Sequence, residues 1–392
     1  MTTAQNTALI FIIAGENSGD LLGANLMRSI DAKAKGSISF AGVGGPEMTA
    51  SGLNSLFPME DLAVMGVFEV LPRLPLLLKR INQTAHEVER LKPDVLVTID
   101  APDFCFRVIK KLKSRGVKIP KVHYVAPSVW AWRPGRAKKI AGFLDHLLCL
   151  LPFEPPYFEK EGLPATFVGH PVVETPIADA DGEGFRSRHV IAKDVPILMV
   201  LPGSRTGEVE KLMGVFGETV SRLAPQFANL QVVIPTVAHV EDRVRELSAH
   251  WATDVLVVRG DEKHEAFMAA NVALAASGTV ALELAMAGLP NVIAYRFNAL
   301  TGFIAKRLIK TPYANLINII LGREAIPEFI QDNCTAENLS REIARLFDDE
   351  NAKIAQVAAA QKAMKQLGLG GPPPGQRAAE VVLSLINKET TS

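Results

Sequence analysis

Short, nearly uninterrupted apolar runs recur along the chain, each closing on small or polar residues and giving way to a stretch with helical spacing. The first, Ala8 to Ala14 (ALIFIIA), ends in Gly15-Glu-Asn-Ser-Gly-Asp20 and leads into Leu21, Leu22, Leu26 and Ile30 along one side of a helix. Such runs, bounded by turn residues and alternating with helices, predict the buried strands of a parallel sheet. Ser39–Val43, Asp94–Ile99, Lys121–Val125, Asp145–Leu151 and Ala165–Val168 continue the series. Glu174 to Asp194 is polar, carries Gly and Asp, and lacks strand periodicity, so 174–194 is expected to be a linker. The alternation then restarts with Ile197–Leu201, Leu230–Ile234, Asp254–Val258, Val272–Ala275 and Asn291–Tyr295. The pattern predicts an α/β protein of two doubly wound, Rossmann-like domains, 1–173 and 195–367, facing a cleft. Helices run on to about Asn387, interrupted at Gly368 to Gly375 (GLGGPPPG). Residues 368–392 are expected to be a hinge-like connector and a final helix that docks elsewhere, the first domain being one place for it.

One stretch departs from the alternation. Leu56 to Leu78 is rich in Leu, Val, Met and Phe, broken by Pro58, Pro72 and Pro75, and followed by Lys79-Arg80. It reads either as a loop with two core helices or as an apolar surface for an acyl chain or a bilayer interface. In the second reading Met65, Val67, Phe68 and Leu71 make the contact.

At 392 residues the chain is long for one core, which agrees with two domains. With 48% hydrophobic and 21% charged residues it is globular, and a formal net charge of zero gives no reason to expect nucleic-acid binding. Cys105, Cys149 and Cys334 are far apart and read as cytosolic thiols with no metal-type spacing. Met1 to Thr7 is polar and lacks a basic leader, and no uncharged apolar run is long enough to span a membrane. The zero net charge hides a local bias: Phe104 to Leu144 contains eleven Lys or Arg and no Asp or Glu. Such a block suits an anionic lipid surface or a phosphorylated substrate, or is a solvated face balanced by acids elsewhere.

Candidate chemistry lies where the apolar runs stop. Gly203-Ser204-Arg205 and Ser277-Gly278-Thr279 each follow a strand and open a helix, the place where parallel sheets bind ligands and where free backbone N–H groups favour phosphate. Arg205 adds a forked cation, and Glu283, one helical turn beyond Thr279, is placed to accept ribose hydroxyls. Together they predict a nucleoside diphosphate site. In the first domain the turn after the first strand is not Gly-x-Gly-x-x-Gly, which argues against a dinucleotide. Asp100 and Asp103 follow the strand ending at Ile99; Asp103 fits a helix N-cap, which leaves Asp100 as the candidate general base. The aromatic loop Trp130-Ala-Trp132-Arg133 suits stacking on a sugar or packing under a loop, and His170 reaches a phosphate or fixes the domain exit.

These segments, read as whole loops, resemble the lipid-A-disaccharide synthase family. Gly15-Glu-Asn-Ser-Gly-Asp-Leu-Leu-Gly23, Gly42 to Pro46, Met65 to Leu71, Ile99 to Phe104 and Tyr124 to Trp132 carry the likeness. So do Val168 to Pro171, Leu201 to Arg205, Ser277 to Glu283 and Asn315 to Glu324, in order from about residue 8 to 345. Asn17 departs from the pattern, where a small residue is expected. The resemblance implies a GT-B glycosyltransferase that joins UDP-2,3-diacylglucosamine to 2,3-diacylglucosamine 1-phosphate through a β-1,6 link, releasing UDP. It implies that Asp100 is the base and that Arg205, Glu283 and Asn318 stand on the UDP side. Glu16, Ser18, Gly19 and Asp20 of the first loop are assigned to the acceptor side.

Inversion at the anomeric carbon needs a base for the acceptor hydroxyl and a sink for charge on the departing diphosphate. No Asp-x-Asp metal pair precedes the donor loops, so neither a metal nor a cofactor is expected. An anionic membrane surface is the expected partner besides the substrates, with the protein peripheral to the inner face of the cytoplasmic membrane, as monomer or homodimer. A UDP-sugar 2-epimerase-like enzyme of the same fold, or a non-catalytic nucleotide-sugar or lipid binder, is the alternative.

Overall fold

In the computed structural model, strand β1 (Ala8–Ala14) pairs in parallel with β2 (Ile38–Val43) on one side and β3 (Val95–Ile99) on the other. Its side chains alternate between two core layers, Ile10, Ile12 and Ala14 entering one and Phe11 and Ile13 the other, as the two-residue period of a strand requires. The structure describes residues 8–34, 36–62, 67–131, 135–296 and 311–389. With β4 (Lys121–Tyr124), β5 (His146–Cys149) and β6 (Ala165–Phe167) the first sheet runs β2-β1-β3-β4-β5-β6, and order reverses between β1 and β3. Helices α1 (Asn17–Ala34), α2 (Pro46–Ala50), α3 (Val67–Leu91), α4 (Pro102–Ser114), α5 (Gly135–Ala141) and α6 (Pro155–Glu159) connect these strands.

Helix α3 differs from the sequence expectation. It continues through Pro72 and Pro75 for 25 residues. Each proline removes one N–H donor, and the later turns are anchored by Ile81, Ala85 and Val88, all buried. Met65 lies outside the described residues, as do the side chains of Val67, Phe68 and Leu71.

The chain divides into two compact units, Val172–Leu369 forming the second and the remainder the first. In the second unit the predicted linker is built into the fold. Helix α7 (Gly182–Arg188) starts at an N-cap in which Asp181 accepts from the Gly184 amide, and buries Phe185. Arg186 then donates to the carbonyls of Ala269, Ala192 and Val195. Beyond it come β7 (Ile197–Leu201), α8 (Thr206–Leu223), β8 (Gln231–Thr236), α9 (Ala238–Ser248), β9 (Val255–Arg259) and α10 (Lys263–Ala269). They are followed by β10 (Val272–Ala276), α11 (Val280–Ala287), β11 (Asn291–Tyr295), α12 (Leu316–Leu321), β12 (Glu328–Ile330), α13 (Ala336–Asp348) and α14 (Glu350–Gln366). The sheet order is β12-β11-β10-β7-β8-β9, all parallel, with its reversal between β7 and β10.

The last helix, α15 (Pro374–Glu389), belongs to the first unit and packs on α1. Ala378, Ala379 and Val382 join Leu22, Leu26 and Ile30 in one core layer, and Lys33 pairs with Glu380 at 2.8 Å.

Candidate active site

In an open parallel sheet the connections on either side of an order reversal leave in opposite directions and open a crevice at the carboxyl ends of the strands. In the second unit that crevice lies between β7 and β10, where the two glycine turns emerge. A cavity of about 490 Å³ occupies it, lined among others by Gly203, Arg205, Lys263, Ser277, Gly278 and Glu283. Gly203 has φ +107°, and a Cβ there would stand 2.4 Å from the Glu208 carboxylate, so only glycine fits. Arg205 is extended at the N-cap of α8, its guanidinium mostly exposed and 3.4 Å from Glu208. Nothing lies within 4 Å of where a Cβ would project from Gly278. The structure thus brings Gly203, Ser204, Arg205, Ser277, Gly278, Thr279 and Glu283 together around one cavity.

Lys263 is the member that sequence reasoning missed. Its Nζ lies 2.7 Å from Glu283 Oε2, with both side chains half-buried. The signal available in the sequence was a lysine opening the helix after β9, at the carboxyl end of a strand.

A larger cavity of about 900 Å³ opens elsewhere in this unit, beside Ile191, Phe227 and Trp251. It sits where β8 and β9 begin, the wrong end of a parallel sheet for a ligand, and the smaller cavity is the better candidate.

In the first unit the reversal between β1 and β3 gathers Asp100 and the first loop. Asp100 is half-buried; its amide donates to Tyr124 O at 3.0 Å, Oδ1 accepts from the Ala101 amide and Oδ2 from Ser18 Oγ at 3.2 Å. Asp100 and Ala101 both have left-handed backbones, φ +50° and +41°, a conformation that costs a non-glycine residue about 1 kcal/mol or more. Two glycines make room for it: a Cβ on Gly15 would stand 2.7 Å from Ala101 Cβ, and one on Gly19 3.3 Å from Ile99 O. Glu16, just before α1, and Ser18, in its first turn, are exposed.

Several expected residues have other work. The Asp20 carboxylate is buried and accepts from the amides of Gly45, Glu47 and Met48, capping α2, so it has no free face for an acceptor. Asp103 is not a cap: α4 opens at Pro102 after Ala101, and no side chain bonds its first amides. Asn318 is fully buried, its Oδ1 accepting from Ala325 and Ile326 and its Nδ2 donating to Ile326 O and Glu328, which leaves it no capacity for UDP. Trp130 donates its indole N–H to the buried Glu154 and meets Phe153 edge-on, which is packing; Trp132 and Arg133 lie outside the described residues. Desolvation pushes His170 down to about 4, so at neutral pH it brings no charge to a phosphate. Within the basic block, Arg115 pairs with Glu89 and Lys121 with Asp145, while Lys110 lies over the Phe143 ring. None of the described helices is long and apolar enough to cross a membrane.

Two Rossmann-like units of this kind define the GT-B class of α/β proteins, and solved structures with this fold match over nearly the whole chain. A glycosyltransferase from Rickettsia africae superposes with a TM-score of 0.61 at 12% identity, covering 98% of this chain and 99% of that one. The UDP-GlcNAc 2-epimerase of Neisseria meningitidis, crystallised with UDP-GlcNAc, gives 0.60 at 11% identity over 97% and 99%. At such identities the likeness is one of fold. Sequence is more specific: the model of the lipid-A-disaccharide synthetase family matches residues 10–371. The lipid-A-disaccharide synthase of Rhodospirillum centenum is 53% identical over 97% of this chain and 95% of its own length. That of Paramagnetospirillum magneticum is 50% identical over 97% and 98%. The chain belongs to the lipid-A-disaccharide synthase family and is a glycosyltransferase that forms the lipid A disaccharide.

Proposed function

We propose that UDP-2,3-diacylglucosamine is the donor, 2,3-diacylglucosamine 1-phosphate the acceptor, and a β-1,6-linked disaccharide 1-phosphate plus UDP the products. The observation that carries the donor half is the cavity between β7 and β10, where two helix-opening turns, Arg205 and the Lys263–Glu283 pair converge. The diphosphate lies against the two turns, Arg205 contributes a forked cation, and Glu283 accepts from the ribose hydroxyls. Open space beyond Gly278 supports a close approach of the ligand to the backbone there.

On the acceptor side Asp100 is the base. As its Oδ2 takes the proton from the acceptor 6-hydroxyl, the oxygen forms a bond to the donor's anomeric carbon on the face opposite the diphosphate. The bond from that carbon to the phosphate oxygen breaks, and the electron pair leaves on UDP. Charge grows on the diphosphate only as this bond lengthens, so Arg205 and the turn amides accelerate the step beyond what they contribute to binding. Ser18, which donates to Asp100, and Glu16 belong to the acceptor side; Gly19 serves it by letting α1 approach Asp100.

Membrane contact through the flank of α3 fits acylated substrates. Leu74 and Leu78 are exposed there, four residues apart on one helical face, with Arg73 and Lys79 beside them. We place the protein at the inner, anionic face of the cytoplasmic membrane.

The experiment is an assay of UDP release from the acylated donor with and without the acylated acceptor. Release that depends on acceptor and yields a disaccharide is the expected result. Conversion of the donor sugar without acceptor would mean an epimerase-like reaction instead.

A further inference from the structure

Asn318 has no hydrogen-bonding capacity left for a nucleotide, yet its side chain ends in a network that reaches the nucleotide cavity. Its Nδ2 donates to Glu328 Oε1 at 2.5 Å. That carboxylate also accepts the Asn315 amide at 3.1 Å on Oε1 and the Ala314 amide at 2.7 Å on Oε2. Three donors on one partly buried carboxylate form a charge-assisted clamp that fixes the backbone at Ala314 and Asn315. The carbonyl of the clamped Ala314 accepts the hydroxyl of Ser277 at 3.2 Å. Ser277 is the first residue of the turn between β10 and α11 that lines the cavity. Its hydroxyl is therefore engaged by the protein, and what it offers a ligand is the placement of the turn.

We propose that Glu328 is a positioning residue for the nucleotide site: it holds the Ala314 carbonyl that holds Ser277, and Asn318 locks the Glu328 carboxylate in place. This rests on the reading that the diphosphate of UDP lies against the Ser277–Thr279 turn. The strand that carries Glu328 is at the sheet edge, paired among the described residues with β11. The clamp therefore links an edge strand to a turn on the other side of β11, a route that no local sequence pattern records.

The test is a double-mutant cycle on UDP affinity, measured by calorimetry on the full chain, with thermal melts alongside. Glu328→Gln replaces an accepting oxygen by an NH₂ group facing a backbone N–H, and is expected to weaken UDP binding about tenfold. Ser277→Ala cuts the last link. In that background Glu328→Gln is expected to change UDP affinity by less than about twofold, while lowering the melting temperature equally in both backgrounds. Equal losses of UDP affinity in the two backgrounds, or a lower melting temperature with unchanged UDP affinity, overturn the proposal. If Glu328→Gln does not fold, Glu328→Asp, which keeps the charge on a shorter arm, carries the same cycle. Arg205→Ala separates the two levels of inference. If that variant binds UDP as tightly as the wild type, the nucleotide reading fails and takes this proposal with it. If it binds weakly and the cycle shows no coupling, only the role of Glu328 falls.

Discussion

Ser18 and Asp100 are joined by a hydrogen bond, Oγ to Oδ2 at 3.2 Å, across 82 positions of sequence. The other carboxylate oxygen is held by the amide of Ala101, so the carboxylate plane is fixed from both ends. A base held in one orientation needs no rearrangement to meet a hydroxyl, and such positioning is part of what general-base catalysis contributes. Asp100→Asn keeps the shape and removes the base. It should lower kcat by about 10²-fold or more while UDP affinity stays at the wild-type value. Ser18→Ala frees one end of the carboxylate and should lower kcat by about tenfold to a hundredfold, the worth of one hydrogen bond to a charged group. Steady-state kinetics with both acylated sugars, set beside UDP calorimetry, decide the matter. An undiminished kcat in Asp100→Asn removes the residue from the mechanism.

Arg205 stands at the N-cap of α8 with 69% of its side chain exposed, and its guanidinium lies 3.4 Å from Glu208. An exposed ion pair of that length contributes little to folding, so truncating the side chain should leave stability within about 0.5 kcal/mol of wild type. A guanidinium that meets a diphosphate is another matter. Arg205→Ala should weaken UDP binding at least about tenfold and depress kcat as well, and Arg205→Lys should recover only part because an ammonium lacks the fork. Unchanged UDP affinity in the alanine variant would contradict the assignment.

Strands were legible wherever an apolar run was continuous and closed by small residues, as at Ile197–Leu201 and Asn291–Tyr295, because burial on both faces leaves that signature. β12 escaped: it has three residues, Glu328–Ile330, directly after Pro327, and half of what it does is done by a carboxylate. α7 escaped because its seven residues include two glycines, and tertiary contacts hold it: buried Phe185 and the Arg186 bonds to distant carbonyls. The same non-locality governs the site. Asp20 looked available because it follows a Gly-rich turn, yet it caps a helix 25 residues away; Asn318 braces Glu328. Turn residues could be read because glycine and strand endings mark them in the chain. Side-chain partners could not, since nothing near Asp20 or Lys263 in sequence names Gly45 or Glu283.

The exposed pair Leu74 and Leu78, 36% and 46% accessible, makes a testable apolar stripe on α3. Fully burying an exposed leucine side chain in an apolar phase is worth about 1.5–3 kcal/mol, and the exposed parts of these two amount to somewhat less than one such side chain, so losing both should lower vesicle binding by about tenfold or more. Leu74→Ser with Leu78→Ser should shift the protein from vesicles of anionic phospholipid to the supernatant in a sedimentation assay. Unaltered partitioning of the double variant would place membrane contact elsewhere.

Glu154 is 3% exposed, receives the Trp130 indole and the Leu151 amide, and is pushed up to about 7, chiefly by burial. A carboxyl group raised from 4.5 to about 7 holds its proton in the folded chain over a range where the unfolded chain has lost it. In that window the folded state binds more protons, so stability falls as pH rises from about 4.5 through 7, and the penalty is complete above 7. The shift corresponds to about 3 kcal/mol between the ends of the window. His123 and His170, pushed down to about 3 and about 4 by burial, add a slope of opposite sign at the acidic end, below the ordinary histidine value of 6.5. Glu154→Gln keeps one acceptor for two donors, so it should be less stable than wild type at pH 5. Because glutamine does not ionise, the gap should close or reverse by pH 8. Urea melts of both proteins at intervals across that range cancel the histidine contribution in the difference. A difference that stays flat with pH would mean that Glu154 ionises in the folded chain as freely as in the unfolded one.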